Sequence, residues 1–443
     1  MKLILNLSDK LLIYLNKAYL NIYPEVIPSN VSYKNFLSNS LFFLFNRHYT
    51  FLFQGIIKII FRFFFDLSKI IYLPIGLLFY ISSYRFTQID YSQMGTFLNQ
   101  LEVTVKYNHL KSKKSLIFIP SSQSRSHIKK IFPNLIIIDS MILNILAQPL
   151  IHSSYISCPV IYTENLFDRN FKKIGKIYST KIKQDFNKKK DNPEFFKLGK
   201  DYCEEMKKFF NIKFKNFDIK KTIVMHMRDS SFNIASDLRS ASLESYTPTI
   251  EYLLANGYFV IRFVHSKSKK LTFTKNYAEI NTDELINQYL QYYLISKSKT
   301  FINCHSGPGY LSSLLEKPSL TVNHFYHFSF AHKKNDIYLL KKVKNSKGQV
   351  QNFINLFNNN FYEKYPNSIK LMRSYGYEVL ENTSDEILEA TKELLALESG
   401  EMKGSSRNIK QQLFADSLPE TNCFKYMDSR ISSYFQKKNP KLF

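Results

Sequence analysis

Apolar residues are unevenly spread along this chain. They gather over residues 41–84 and then, from about residue 100, break into short runs between longer mixed segments. In the first region Gln54, Lys58, Arg62, Asp66 and Lys69 recur at spacings of four, four, four and three. They therefore share one face of a helix whose remaining faces are Phe, Ile and Leu. Such a helix suits two settings. It can lie in a membrane interface with cations toward lipid phosphates, or it can sit in a core with a polar stripe outward. The longest uncharged stretch, residues 70–84, has 15 residues and contains Pro74 and Gly76. A spanning helix needs roughly 20.

Further on, the short apolar runs predict strands at 115–120 (SLIFIP), 134–139 (NLIIID) and 159–164 (PVIYTE). A second set comprises KTIVMHMRD from Lys221, YFVIRFV from Tyr258, TFINCHS from Thr300 and SLTVNHF from Ser319. Helical patterns at 243–256 and 284–298 separate them, and this alternation implies parallel α/β sheets. A last helix spans 385–397, with Thr383 and Glu386 as a capping box and Gly400 as its stop. The reading is α/β, with two Rossmann-like domains facing a cleft behind an N-terminal hydrophobic helical region. Its boundaries are 1–90 for the membrane-associating region, 91–215 and 216–400 for the two domains, and 401–443 for a linker and tail.

Composition changes the picture in a few places. A chain of 443 residues, 44% hydrophobic and 22% charged, is large enough for such domains and excludes wholesale disorder or a fibre. The net charge of +25 points to an anionic partner: nucleic acid, an acidic membrane or a phosphorylated substrate. Only eleven of the 61 basic residues are Arg, and Ile, Asn, Tyr and Phe are abundant. That combination reads as drift toward AT-rich codons, so clustered arginine is more informative than plentiful lysine. The cysteines at 158, 203, 304 and 423 show no C-x-x-C, and reduced thiols in a cytosolic compartment are expected. Asp9 and Lys10 interrupt the first apolar run, which argues against a signal peptide.

Two constellations carry candidate chemistry. In VMHMRDSSF an apolar strand ends in His226, Arg228 and Asp229, where open α/β sheets place their ligands. His226 and Arg228 share a face, and Asp229 points away or starts the loop. Arg228, Arg239 and Arg262 fall within 35 residues, and a guanidinium fork suits phosphate oxygens. A strand-end ion pair, with Arg239 and Arg262 on surface partners, is the plainer alternative. The second constellation is NCHSGPGYL, where Ser306, Gly307, Pro308 and Gly309 join a strand to a helix. Glycines admit close approach, and the first helical turn offers amides to an anion. The chain has no D-x-D, no H-E-x-x-H, no G-x-S-x-G, and neither a Walker nor a dinucleotide glycine motif. His324, His327 and His332 lack Cys or Glu partners at ligand spacing, so no metal site is expected there.

HMRDSSF, with Arg239, Tyr246 and YLLANGYFVIRF, resembles the central motif of a bacterial family of GT-B-type glycosyltransferases encoded with surface-polysaccharide genes. NYAEI at Asn276, HSGPG, PSLTVNHF, HKKNDIYLLKK at His332 and GYEVLENTSDEILEATKEL at Gly376 extend the resemblance, which covers about residues 85–443 and is strongest over 220–400. More distantly, the H-x-R core is similar to that of the O-fucosyltransferase-like group. The chain departs from the family at Gln291, where an acid is usual, and keeps only Arg85 of a basic element near residue 85. The resemblance implies metal-independent transfer of a sugar from a nucleotide-sugar, the co-substrate, to a cell-surface glycan or lipid-linked acceptor, with no other cofactor. Donor-binding candidates are Arg228, Arg239, Arg262, His305, Ser306, Gly307, Gly309 and Asn323. Catalytic candidates are His226 and Asp229. The expected location is the cytoplasmic face of the inner membrane, as a peripheral protein. The rival readings are a basic nucleic-acid-binding protein and a non-catalytic glycan- or nucleotide-binding relative. Lysines spread over the chain weigh against the former, so no nucleic-acid partner is expected.

Overall fold

The computed structural model describes most of residues 74–138 and 193–443, with interruptions that include 120–126, 230–237, His305 and 326–335. The amphipathic pattern at 54–69 and the strand expected at 159–164 lie outside the described residues. Strands β1 (Tyr84–Gln88), β2 (Lys114–Phe118) and β3 (Ile137–Ile138) form a parallel sheet in that order. Helix α1 (Met94–Leu110) links the first two strands, and α2 (Ile128–Ile131) precedes the third. Helix α3 (Lys200–Lys213) then leads into a larger sheet.

That sheet begins with β4 (Thr222–His226), α4 (Thr247–Ala255), β5 (Phe259–Val264), β6 (Tyr277–Asn281) and α5 (Leu285–Lys297). It continues with β7 (Thr300–Cys304), α6 (Gly307–Leu314), β8 (Ser319–His324) and β9 (Ile337–Leu340). A two-stranded antiparallel ribbon follows, made of β10 (Lys342–Lys344) and β11 (Glu378–Leu380). Helices α7 (Ser384–Ser399) and α8 (Ile409–Ser417), strand β12 (Arg430–Ile431) and helix α9 (Ser433–Lys438) complete the chain. The seven strands run parallel in the order β12-β9-β8-β7-β4-β5-β6.

Central strands of a parallel sheet are covered on both faces, and so they read as unbroken apolar runs. TIVMH in β4 is buried at every position. Ile223 and Met225 pack on one face with Ile302, Leu320 and Leu394. Val224 packs on the other with Ile261, Phe263 and Phe301. The second cluster also takes in Phe97 and Leu101 of α1, Phe132, and Met206 and Phe210 of α3. The small and large sheets therefore share one continuous core.

Two contacts fix that junction. Tyr202 donates from its hydroxyl to the Tyr289 carbonyl at 2.5 Å and accepts from the Tyr293 amide at 3.1 Å. Gly95 and Gly307 bring the starts of α1 and α6 together. A Cβ on Gly95 would lie 3.1 Å from the Tyr310 ring and 3.3 Å from the Gly307 Cα. The glycine at 307 thus admits α1.

Sequence and structure agree closely at β4, β5, β7, β8, α5 and α7. Thr383 and Glu386 form the capping box, with the Thr383 amide donating to Glu386 Oε2 at 3.0 Å, and Gly400 closes α7 at φ 78°. The end of the chain is more than a tail. β12 adds an edge strand beside β9, and Ser433 donates its amide and hydroxyl to Glu393 at 2.8 and 3.0 Å.

Gly95→Val tests the helix junction. Overpacking there should cost about 1–3 kcal/mol, seen as a lower urea midpoint, and an unchanged midpoint would mean that the two helix starts are not held against each other.

Candidate functional site

Strand order reverses at β4: β5 and β6 lie on one side, and β7, β8, β9 and β12 on the other. Such a switch point opens a crevice beyond the carboxyl ends of the two strands that flank it, here β4 and β7. β4 brings His226 to this edge, with Arg228 two residues on. β7 brings Asn303, the register partner of His226, and then Cys304. Ser306, the N-cap of α6, follows in extended conformation and is 4% exposed.

The Cys304 thiol reports what surrounds it. Burial pushes its pKa up, while Arg228 and Arg239 push it down, so both guanidinium groups lie within electrostatic reach of one buried sulfur. Nε of Arg239 is buried and has no hydrogen-bond partner among the described residues. The segment carrying Arg239 is tied down at two points. The Ala241 amide donates to the Arg228 carbonyl at 2.8 Å, and Lys341 Nζ donates to the Ser240 carbonyl at 2.7 Å. With the first turn of α6 at the end of β7, the edge brings together Arg228, Arg239, Ser306, Gly307 and Gly309. His305 lies outside the described residues.

Three expected site residues have other occupations. Arg262 has no exposed surface and lies on the face of β5 opposite Ile261 and Phe263. It donates from Nη1 to Glu279 Oε1 and to the Lys269 carbonyl, both at 2.8 Å, and from Nη2 to Asp229 Oδ2 at 3.4 Å. Asp229 also accepts from the Lys269 amide at 3.0 Å. Arg262 and Asp229 thus brace the edge from behind, and neither is disposed as a phosphate ligand or a base. Asn323 is fully buried at φ 56°, a conformation Asn tolerates better than most residues. Its amide donates to Asn382 Oδ1, and the Asn382 amide donates to Asn323 Oδ1, both at 2.7 Å. This reciprocal clamp fixes the approach to α7.

His226 is 4% exposed, and burial pushes its pKa down to about 3, with His265 and Arg228 acting in the same direction. It is a neutral ring at ordinary pH. The ring centroid of His265 lies 6.4 Å away. Nδ1–H of His265 donates to Asp283 Oδ1 at 2.9 Å, and this bond is foremost in holding the Asp283 carboxyl at about 2. The sequence reading passes over both residues, although each follows a strand end as Arg228 does. Among the described residues no three His, Cys, Asp or Glu side chains gather as a metal site, and no helix is long and apolar enough to cross a membrane.

No protein-family model matches the sequence, and no curated protein matches it. Among solved structures, the chain is similar to the ADP-heptose LPS heptosyltransferase II of E. coli, with a TM-score of 0.44 at 12% identity over 72% of this chain and 99% of that one. It is also similar to a glycosyl transferase family 9 protein from Veillonella parvula DSM 2008, with a TM-score of 0.45 at 10% identity over 70% and 96% of the two chains.

The buried ring of His226 makes stability depend on pH. An unfolded imidazole takes a proton near pH 6.5, whereas the folded one resists protonation to about pH 3. The unfolded state therefore binds the extra proton, and stability falls as pH drops from about 6.5 toward 3. At pH 5 the loss is about 2 kcal/mol. His226→Gln should show a smaller fall in denaturation midpoint between pH 7 and pH 5 than the wild type. Equal falls would mean that the buried ring takes up its proton freely.

Proposed function

We propose that this chain is a glycosyltransferase that moves a sugar from a nucleotide-sugar to a cell-surface glycan or lipid-linked acceptor without a metal ion. The observation that carries this reading is that Arg228 and Arg239 both act electrostatically on the buried Cys304 at the end of β7, next to the N-cap Ser306 of α6, at the β4–β7 switch point. A departing nucleoside diphosphate leaves with its negative charge concentrated on phosphate oxygens. Guanidinium forks grip those oxygens, and helix amides with the positive end of the helix dipole add to the hold. Groups placed in advance where charge develops lower the barrier to transfer. Two arginines and a helix end supply the positive charge that a D-x-D metal supplies elsewhere. The start of α1, seated against Gly307, adds a second positive helix end to the same edge.

Thermal shift with ADP-, GDP- and UDP-linked hexoses tests the donor side. One of them should stabilise the protein equally with and without EDTA. Arg228→Ala should weaken that stabilisation by about tenfold or more in ligand concentration, while the unliganded midpoint stays nearly unchanged. A large fall in the unliganded midpoint would assign Arg228 to a structural ion pair. Binding to arbitrary RNA or DNA that falls steeply with salt would favour the nucleic-acid reading.

We further place the protein at the cytoplasmic face of the inner membrane, where lipid-linked acceptors sit. Ile75, Leu78 and Ile81 support this reading. They are helical, recur every three residues and are 44%, 69% and 70% exposed, which leaves an apolar stripe suited to a bilayer interface. Replacing all three by Ser should shift the protein from the membrane fraction toward the soluble one, and high salt should release only part of the wild type. A wild-type protein already soluble at low salt would rule out the anchoring role.

A further inference from the structure

The carboxyl edge of the large sheet carries a second polar cluster on the flank away from α6. Val264 of β5 and Asn281 of β6 are register partners, so the turns that follow them meet. His265 comes directly after Val264, and Asp283 two residues after Asn281. Both carboxylate oxygens of Asp283 are engaged there. Oδ1 accepts from His265 Nδ1–H at 2.9 Å, and Oδ2 accepts from the Ser266 amide at 2.8 Å. The imidazole plane is thus set by a carboxylate that the backbone itself holds. The His265 side chain is 33% exposed, against 4% for the whole of His226.

Strand alternation puts His265 on the face of Ile261 and Phe263, which is also the face of Val224 and His226. This is the face on which α1 and α3 pack, the side of the smaller sheet. His265 therefore stands beside His226, its ring centroid 6.4 Å away, on the side from which the first part of the chain approaches. The other two candidate bases are poorly placed. His226 is buried, and Asp229 is held by Arg262 and the Lys269 amide on the opposite face.

We propose that His265 is the general base that takes the proton from the acceptor hydroxyl, with Asp283 as its positioning residue. The proposal rests on the glycosyltransferase reading above. With Nδ1–H committed to Asp283, the neutral ring has its lone pair on Nε2. The acceptor oxygen bonds to the anomeric carbon as its proton passes to Nε2. The bond from that carbon to the diphosphate oxygen breaks, and its electron pair leaves with the diphosphate toward Arg228, Arg239 and α6. Asp283 stabilises the imidazolium that forms, as the third group of a nucleophile–base–orienter arrangement does. A single displacement of this kind inverts the anomeric configuration.

The full-length chain can be tested without knowing its acceptor, because water can take the acceptor's place. Nucleoside diphosphate release from ADP-, GDP- and UDP-linked hexoses is measured for the wild type, His265→Ala, Asp283→Asn and Asp283→Glu. His265→Ala should lower kcat by about a hundredfold or more, with KM for the donor within about threefold. Added imidazole should restore part of the rate, and Asp283→Glu should retain more activity than Asp283→Asn. Nucleoside diphosphates should stabilise His265→Ala as they do the wild type. A kcat for His265→Ala within about threefold of wild type would overturn the assignment. So would a loss untouched by imidazole and accompanied by a lower thermal midpoint, because the pair would then only hold the turn. A wild type that releases no diphosphate and is stabilised by none of the nucleotides would instead sink the glycosyltransferase reading, and this inference with it.

Discussion

The carboxyl edge of the large sheet is organised around one charge that water cannot reach. An unpaired guanidinium in a protein interior costs several kcal/mol, so Arg262 must draw partners to itself. It draws them from three places: Asp229 after β4, Glu279 in β6 and the Lys269 carbonyl in the turn between β5 and β6. Glu279 in turn accepts from the Tyr277 hydroxyl and the Leu271 amide, at 2.8 and 3.0 Å. One side chain therefore ties together the exits of three neighbouring strands. Turning Asp229 toward Arg262 leaves Arg228 to the opposite face, because successive side chains alternate. Anchoring the turn at Lys269 and Leu271 also fixes the span that begins with His265. The residues nearest the crevice owe their direction to a network that never touches it.

The junction between the two sheets imposes the second constraint. Gly95 and Gly307 allow α1 and α6 to start almost in contact, which sets two positive helix ends side by side near two arginines. In the proposed reaction, like charges gathered this way disfavour the bare site and reward an anion that enters it. Tyr202, bonded to both Tyr289 and Tyr293 on α5, and the His127 ring at 4.0 Å from that of Tyr289 keep the smaller sheet seated on the larger one.

How much of this was legible in the sequence depended on how local each cause was. β4, β5, β7 and β8 are buried on both faces, so their apolar runs stand out in one dimension. β6 reads YAEIN and β12 is only Arg430–Ile431; such edge strands carry no clear pattern, and neighbouring strands supply what their own side chains do not. The capping box at Thr383 and Glu386 spans three residues and could be read directly. The placement of Arg228 and the SGPG turn just beyond strand ends could be read from the apolar runs that precede them. The roles of Asp229 and Asn323 could not, because their partners lie 33 and 59 residues away. His265 and Asp283 are 18 residues apart, and only the β5–β6 register makes them a pair.

His226 shows how the edge keeps its two kinds of chemistry apart. It lies within electrostatic reach of Arg228 and His265, and a proton on its ring would add positive charge to a crowded space. Burial removes that possibility by holding the ring neutral across the ordinary pH range. Its Nδ1 and Oδ1 of its register partner Asn303 remain without hydrogen-bond partners among the described residues, and buried polar atoms of this kind tend to be reserved for a ligand or water. On one flank of this neutral ring, over β7, stand the groups that attract negative charge. On the other flank, over β5 and β6, stands a carboxylate-held imidazole that can accept a proton. The proposed sugar transfer needs both, a place for the departing charge and a place for the departing proton, and it needs them on opposite sides of the carbon that changes partners. The strand reversal at β4 supplies that separation by topology, since the strand that carries His226 is the one from which the sheet grows in both directions.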